Sequence, residues 1–134
     1  MTSDRVGDFI TRLTNAGAAG KREVVLPHSR HLESVARKLS ALGFVGKVST
    51  EADPAASAKK TLSVELLYSS LGEPKIRGVK RLSKPGRRLY APHREVHRVA
   101  GGTGARIISS NRGILSDAEA RRDRAGGETL FEIW

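Results

Sequence analysis

The sequence contains no cysteine, which excludes disulfide bonds and thiolate-ligated metal sites and fits a reducing compartment. It has no run of about 18 apolar residues, the length that a membrane-spanning helix needs, and its first residues carry no apolar signal run. Internal repeats and low-complexity tracts are missing as well. We therefore expect a soluble cytoplasmic protein, and 134 residues suffice for one domain or two small ones without disulfide bridges.

The sequence also lacks the motifs that usually accompany catalysis or cofactor binding. Ser109 and Ser110 are not part of a Gly-x-Ser-x-Gly elbow, and the fourteen acidic residues are scattered singly along the chain. His93 and His97 lack the glutamate that directly follows the first histidine of a zinc protease motif. The glycines of residues 101–104 have neither dinucleotide-binding spacing nor the Lys-Ser/Thr of a phosphate-binding loop, so a turn between strands is expected. We expect no enzyme activity, no metal, no cofactor and no small-molecule substrate.

Positive charge is concentrated in one short segment. The chain has a net charge of +10, and residues 75–98 hold nine Lys or Arg against one acid. Residues 1–74 have ten basic and eight acidic side chains, and residues 99–134 have five of each. A basic band of this kind favours binding to a polyanion, most commonly nucleic acid. The same cluster also fits a solvated surface that only improves solubility.

The first half of the chain alternates helical and strand patterns. Ser3 or Asp4 can cap the first helix, Ser29 can cap the second, and Gly43 is suited to end the second in a left-handed conformation. The predicted elements are a helix over residues 4–16, a strand over 23–26, a helix between Ser29 and Gly43, and strands over 44–50 and 61–69. A polar turn with Asp53 and Pro54 separates the last two strands.

The second half combines a basic turn with short strands. Residues 84–87 (KPGR) have Pro then Gly at the central positions of a type II turn, which would project Lys84, Arg87 and Arg88 together. Ser116 begins a capping box for a short helix over 117–122. Strands are predicted over residues 105–109, 113–115 and 129–134, the last buried on both sides or closing the domain edge.

These elements predict an α+β protein of two small subdomains. The N-terminal subdomain, residues 1–74, is expected as a helix-strand-helix-strands unit. Residues 75–98 form a basic connecting segment, and residues 99–134 a strand-rich C-terminal subdomain with a short helix.

A small polar loop complements the basic segment. Residues 109–113 (SSNRG) follow an apolar strand and offer hydroxyls and an amide, which can pair with base edges and 2′-hydroxyls. Lysines and arginines alone would contact only phosphate. The basic side chains would supply affinity for phosphate, and the neutral polar loop would discriminate between RNAs. Together they predict that the C-terminal subdomain, residues 99–134, binds RNA with the basic segment.

Three ordered motifs then point to a known family. Residues 76–90 (IRGVKRLSKPGRRLY) closely resemble the central signature of the bacterial small-subunit ribosomal protein S-eight family. Residues 108–121 (ISSNRGILSDAEAR), followed by GGE at 126–128, are similar to its C-terminal signature, and residues 4–16 resemble its first helix. The resemblance covers essentially the whole chain.

The resemblance implies a structural ribosomal protein of the cytoplasm that binds the central domain of small-subunit ribosomal RNA and contacts neighbouring small-subunit proteins. It implies RNA-binding roles for basic, polar and aromatic side chains of the matching motifs: Lys80, Arg81, Lys84, Arg87, Arg88, Tyr90, Ser109, Ser110, Asn111, Arg112, Gly113 and Glu128, together with Arg12 on the first helix. Glu128 fits equally well as a residue that fixes the backbone by a hydrogen bond. An alternative function is a regulator that binds a messenger mimic of the same RNA helix. The sequence does not show how Arg106 is accommodated in an apolar strand.

Overall fold

The structure, a computed structural model, describes residues 4–52, 60–92 and 103–134. The chain divides into two compact units. The N-terminal unit is Asp8–Ile76, and the C-terminal unit combines Met1–Gly7 with Arg77–Trp134. The described elements are α1 (Arg5–Ala18), β1 (Glu23–Pro27), α2 (Arg30–Ala41), β2 (Val45–Ala52), β3 (Lys60–Leu66), β4 (Val79–Arg81), β5 (Tyr90–Ala91), β6 (Ala105–Ser110), β7 (Gly113–Ser116), α3 (Asp117–Asp123) and β8 (Gly127–Ile133).

The N-terminal unit is built on an antiparallel sheet of order β1-β3-β2. In β3, Leu62, Val64 and Leu66 are buried and alternate with half-exposed residues, as a strand with one covered face requires. The apolar stripes of α1 and α2, which include Phe9 and Leu39, complete the core of this unit. The predicted order of helix, strand, helix and two strands is confirmed.

The predicted caps of α1 and α2 are present. The backbone N–H of Gly7 donates to Asp4 Oδ1 at 3.2 Å, so Asp4 caps α1. Ser29 Oγ accepts from the N–H of Leu32 at 3.1 Å and caps α2. Gly43 follows the helix with φ of 87°, the left-handed conformation that glycine adopts most easily.

The alternating pattern predicts a strand that continues to residue 69, but β3 ends at Leu66. The chain then folds into a turn in which the N–H of Ser69 donates to Glu73 O at 2.8 Å. The Tyr68 hydroxyl reaches the C-terminal end of α1 and donates to the carbonyl of Lys21. A local turn and one long-range contact of Tyr68 therefore follow β3 where the alternating pattern predicts more strand.

The C-terminal unit is built on a sheet of order β4-β8-β6-β7, with β5 also pairing with β8. Two of these strands, β4 and β5, come from the basic segment of the sequence. The central strand β8 is buried on both sides, since Leu130, Phe131 and Ile133 are all within 3 % of full burial. The basic segment is therefore joined to this sheet by the pairing of β4 and β5 with β8.

The short helix α3 begins with the predicted capping box. Ser116 Oγ accepts from the N–H of Glu119, and the Glu119 side chain accepts from the N–H of Ser116 at 3.1 Å. The helix ends at Asp123, and the C-cap residue Arg124 has the left-handed φ of 51°.

Arg106 is accommodated by a partner on the neighbouring strand. It lies directly opposite Glu132 of β8, and its Nη2 contacts Glu132 Oε1 at 2.6 Å. Its backbone N–H donates to the buried carboxylate of Asp117 at 3.1 Å. A cross-strand ion pair thus neutralises the arginine in an otherwise apolar strand.

The predicted histidine pair, His93 and His97, lies outside the described residues, as do the turn at 53–54 and the glycines at 101–102. Along the ranges that the structure describes, no helix combines the length and apolar character needed to cross a membrane.

Candidate nucleic-acid interface

The basic turn has the geometry that its Pro-Gly pair predicts. Lys84 and Arg87 exchange two backbone hydrogen bonds of 2.9 Å, and Gly86 has φ of 84°, as a type II turn requires. The side chains of Lys84, Arg87 and Arg88 are exposed. The turn therefore presents three cations at one loop tip.

Ser83 connects this turn to the sheet by hydrogen bonds, a role that the sequence pattern did not indicate. Its side chain is buried, donates to Leu89 O at 3.2 Å and accepts from the N–H of Leu89 at 2.9 Å. Its backbone N–H donates to Thr129 O of β8 at 3.1 Å. The hydroxyl thus closes the base of the loop that carries the three cations.

Strand pairing brings an aromatic, an acidic and a hydroxyl side chain into one row across the sheet. Glu128 of β8 lies directly opposite Tyr90 of β5 on one side and opposite Ser109 of β6 on the other. Directly paired residues of antiparallel strands project from the same face. Tyr90 is 72 % exposed, so its ring is open to a ligand.

Arg88 joins the basic turn to this row. Its Nη1 lies 3.1 Å from Glu128 Oε2, and the arginine side chain is half exposed while the glutamate is largely covered. The ion pair offsets the negative charge of Glu128, which would otherwise repel phosphate. One face consequently combines cations, an aromatic ring and hydrogen-bonding groups.

The polar loop forms a tight turn between β6 and β7. Ser110 Oγ donates to Gly113 O at 2.9 Å and accepts from the N–H of Arg112 at 3.1 Å. Gly113 adopts φ of 106°, and the side chains of Asn111 and Arg112 are exposed. The guanidinium of Arg112 donates to the carbonyl of Asp123 at 3.3 Å, which holds it beside the end of α3.

Gly127 allows β8 to approach β6 closely at the row. A Cβ atom on Gly127 would lie 2.2 Å from the carbonyl oxygen of Ser109 and 3.0 Å from the Cα of Ser110. Both are backbone atoms, which cannot swing away as the end of a long side chain can. A residue with a Cβ atom therefore does not fit at position 127 unless β8 moves away from the polar loop.

The three remaining cations that were predicted to bind RNA have different surroundings. Lys80 is exposed on β4, directly opposite Glu132. Arg81 is largely covered, donates from Nε to Ser83 O at 2.9 Å and pairs through both terminal nitrogens with Asp4. Arg12 belongs to the N-terminal unit, where it pairs with Asp8 at 3.1 Å. RNA contact by these three residues stays a prediction, as it does for the other candidate residues.

The hydrogen bond from Arg81 lowers the pKa of the Asp4 carboxyl, with a further contribution from the N–H of Gly7. A carboxyl whose pKa is lowered by folding stabilises the protein above its ordinary pKa of about 4, and the stabilisation disappears as pH falls below that value. We therefore expect Tm to drop between about pH 5 and pH 2 more in the wild type than in Asp4→Asn. Thermal unfolding followed by circular dichroism across this range measures the difference, and parallel curves would contradict the assignment.

Across the described ranges, no group of three or more His, Asp or Glu side chains is arranged to hold a metal ion. The positions that the structure brings together on the C-terminal sheet are hydrogen-bonding, cationic and aromatic. This combination suits contact with a structured polyanion.

Comparison with known proteins shows the family of this chain. The family model for "Ribosomal protein S8" matches residues 4–134. The chain is 42 % identical over 132 residues to the Small ribosomal subunit protein uS8 of Opitutus terrae, covering 98 % of this chain and 99 % of the relative. It is 39 % identical to that of Chlorobium limicola and 38 % identical to that of Trichormus variabilis, with 98 % of each chain covered. With the family model matching nearly the whole chain, this protein belongs to the Ribosomal protein S8 family.

Proposed function

We propose that this chain is a structural constituent of the small ribosomal subunit that binds the central domain of its ribosomal RNA directly and helps it assemble. The names of its relatives, which are small-subunit proteins, support the ribosomal assignment. The observation that carries RNA binding is the row of Tyr90, Glu128 and Ser109 beside the cationic turn.

The proposed contacts divide by chemistry. Lys84, Arg87 and Arg88 project from a turn at the edge of the row and bind phosphate oxygens, which supplies affinity independent of sequence. Hydroxyls of the loop at residues 109–113 approach the shallow groove of an RNA helix, where 2′-hydroxyls and base edges are accessible. The ring of Tyr90 packs on a ribose or an unstacked base.

Glu128 acts within this surface as an acceptor. A carboxylate accepts hydrogen bonds from 2′-hydroxyl and base amino groups but repels phosphate. The ion pair with Arg88 at 3.1 Å offsets that repulsion and fixes the orientation of the carboxylate. The residue thereby selects RNA groups that donate a hydrogen bond.

Titration against two RNAs tests the proposal. The purified protein is titrated with a central-domain ribosomal RNA fragment and with an unrelated structured RNA of equal length, at low and at physiological salt. We expect a preference of about 10³-fold or more for the ribosomal fragment that persists at the higher salt. Equal binding that collapses with salt would contradict specific readout, and failure to sediment with small subunits after a high-salt wash would contradict the structural role.

The cationic turn makes a separate prediction. Replacing Lys84 and Arg87 with alanine is expected to weaken binding to all RNAs similarly and to reduce the salt slope by about one unit for each phosphate that the variant no longer neutralises. The slope is obtained from the Kd at several salt concentrations. Arg22→Ala with Arg30→Ala, two exposed arginines of the N-terminal unit, removes equal charge and is the matched control. Identical slopes in the two double variants would remove the turn from the interface.

A further inference from the structure

The sheet of the C-terminal unit has a second face, opposite the one that carries Glu128 and Ser109. Arg106 lies three residues before Ser109 on β6, and because alternate residues of a strand project to opposite sides, it belongs to this second face. Glu132 of β8 lies directly opposite Arg106, and Lys80 of β4 lies directly opposite Glu132, so the three share a face. The register of β6 and β8 shifts by one residue between the two glutamates, which places Glu128 and Glu132 on different faces.

An aromatic ring lies at one end of the second face. Gly78 and Trp134 exchange two backbone hydrogen bonds of 3.1 Å and are therefore directly paired. Each lies two residues from the Lys80–Glu132 pair and projects to the same side. A Cβ atom on Gly78 would be 2.5 Å from Cζ2 and 2.6 Å from Cε2 of the indole, so the ring lies across the glycine backbone. Trp134 is nevertheless 37 % exposed, which leaves part of the ring accessible to a ligand.

The second face carries positive charge in excess. Arg106 Nη2 lies 2.6 Å from Glu132 Oε1, so one cation already offsets the charge of this acid. Lys80 is exposed and adds a further cation. Along β4, Lys80 follows Gly78 by two residues, which corresponds to about 7 Å, so the indole and the ammonium group can contact the same ligand. The C-terminal unit as a whole has fourteen Lys or Arg against seven Asp or Glu.

The combination of an accessible indole and a nearby cation matches an unpaired nucleotide. A base stacks on an aromatic side chain, and its phosphate is bound by lysine or arginine. A basic peptide is repelled by Lys80 and by the net charge of the unit. An acidic peptide satisfies the charge, but its carboxylates have no flat ring to place on Trp134. Nucleic acid is therefore the occupant that uses both features.

We infer that the second face holds an unpaired nucleotide of the ribosomal RNA, with its base stacked on Trp134 and its phosphate at Lys80. The inference rests on the proposed function and adds to it a contact on the other side of the sheet from Tyr90. The strand β4 lies at the edge of the sheet, and the cationic turn at residues 84–87 follows it. RNA bound by that turn can therefore continue around the edge to the second face.

Intrinsic fluorescence tests the inference, because Trp134 is the single tryptophan of the chain. The full chain is titrated with the central-domain RNA fragment, and tryptophan emission is compared with the anisotropy of the end-labelled fragment. We expect saturable quenching with the same midpoint as the anisotropy curve, and protection of the indole from acrylamide. Binding by anisotropy without a change in emission would overturn the inference and leave the proposed function intact. Absence of binding by either readout would overturn both.

Variants locate the contact, and the wild-type emission stays informative if one of them is unstable. Trp134→Ala is expected to raise Kd for the fragment about fivefold or more, whereas Trp134→Phe retains most of the affinity because a phenyl ring also stacks. Lys80→Ala is expected to lower the salt slope by about one unit, and Lys47→Ala, at an exposed position of the N-terminal unit, is the matched control. Equal Kd values for wild type and Trp134→Ala, or equal slopes for the two lysine variants, would overturn the inference.

Tyr90→Ala separates the two faces of the sheet. At saturating RNA this variant is expected to show the same quenching of Trp134 as the wild type, because the second face does not include Tyr90. Loss of the quenching at saturation would mean that the emission reports the Tyr90 contact, which would overturn the inference.

Discussion

Replacing Gly127 with alanine is expected to lower Tm and to weaken binding of the central-domain RNA fragment more than binding of an unrelated RNA. The new Cβ would lie 2.2 Å from Ser109 O and 2.9 Å from Ser109 C, so β8 and β6 have to separate. Overpacking of this kind costs about 1 to 3 kcal/mol, which corresponds to a fall in Tm of about 4 to 12 °C. The displaced backbone leads into the polar loop at residues 109–113. We therefore expect Gly127→Ala both to be less stable and to discriminate less well between the two RNAs.

Thermal denaturation and RNA titration of Gly127→Ala are compared with those of Gly17→Ala. A Cβ on Gly17 of α1 would meet Pro74 Cβ at 3.4 Å, an ordinary contact, and alanine favours the helix. We therefore expect Gly17→Ala to leave Tm unchanged or raised and RNA binding unaffected. Equal Tm values for the two variants would show that β8 and β6 do not need the close approach.

Replacing Tyr90 with alanine is expected to weaken RNA binding without unfolding the protein. The ring is 72 % exposed, so its removal disturbs little packing, while the backbone pairing of β5 with Glu128 and Gly127 does not depend on it. Stacking of an aromatic ring on a base contributes about 1 to 3 kcal/mol, so Kd for the ribosomal fragment should rise about 5-fold to 150-fold.

Tyr90→Phe separates two ways in which the ring can act. If the ring stacks on RNA, the phenylalanine variant retains most of the affinity; if the hydroxyl is the contact, it loses as much as alanine. Leu71→Ala is the control, because Leu71 is 85 % exposed and lies in the N-terminal unit. An unchanged Kd for Tyr90→Ala would exclude Tyr90 from the interface.

Local signals predicted the parts of the fold that local chemistry determines. The cap at Ser29, the capping box at Ser116 and the turn at residues 84–87 each need only a few neighbouring residues, and all are present. The α+β class follows from apolar periodicity in the same way. Resemblance added the family, which no single spacing identifies.

Features that depend on strand register were beyond a single sequence. The partnership of Arg106 with Glu132 joins residues 26 positions apart, and that of Arg81 with Asp4 joins residues 77 positions apart. The buried hydroxyl of Ser83 and the close approach at Gly127 likewise appear only when β8 is placed between its neighbours. The charge of the basic segment is visible in the sequence, but its strand pairing depends on residues of β8 that lie 36 to 54 positions later.

The C-terminal unit is formed by two separate stretches of the chain, which affects how it folds during synthesis. A ribosome makes a chain from its N-terminus, and compact units generally fold as they emerge. Asp8–Ile76 is contiguous and can fold as soon as it is complete, whereas Met1–Gly7 has to wait for Arg77–Trp134. The carboxylate of Asp4 is made before its partner Arg81, which follows 77 residues later. The first turn of α1 is therefore started early in translation and receives its ion pair late.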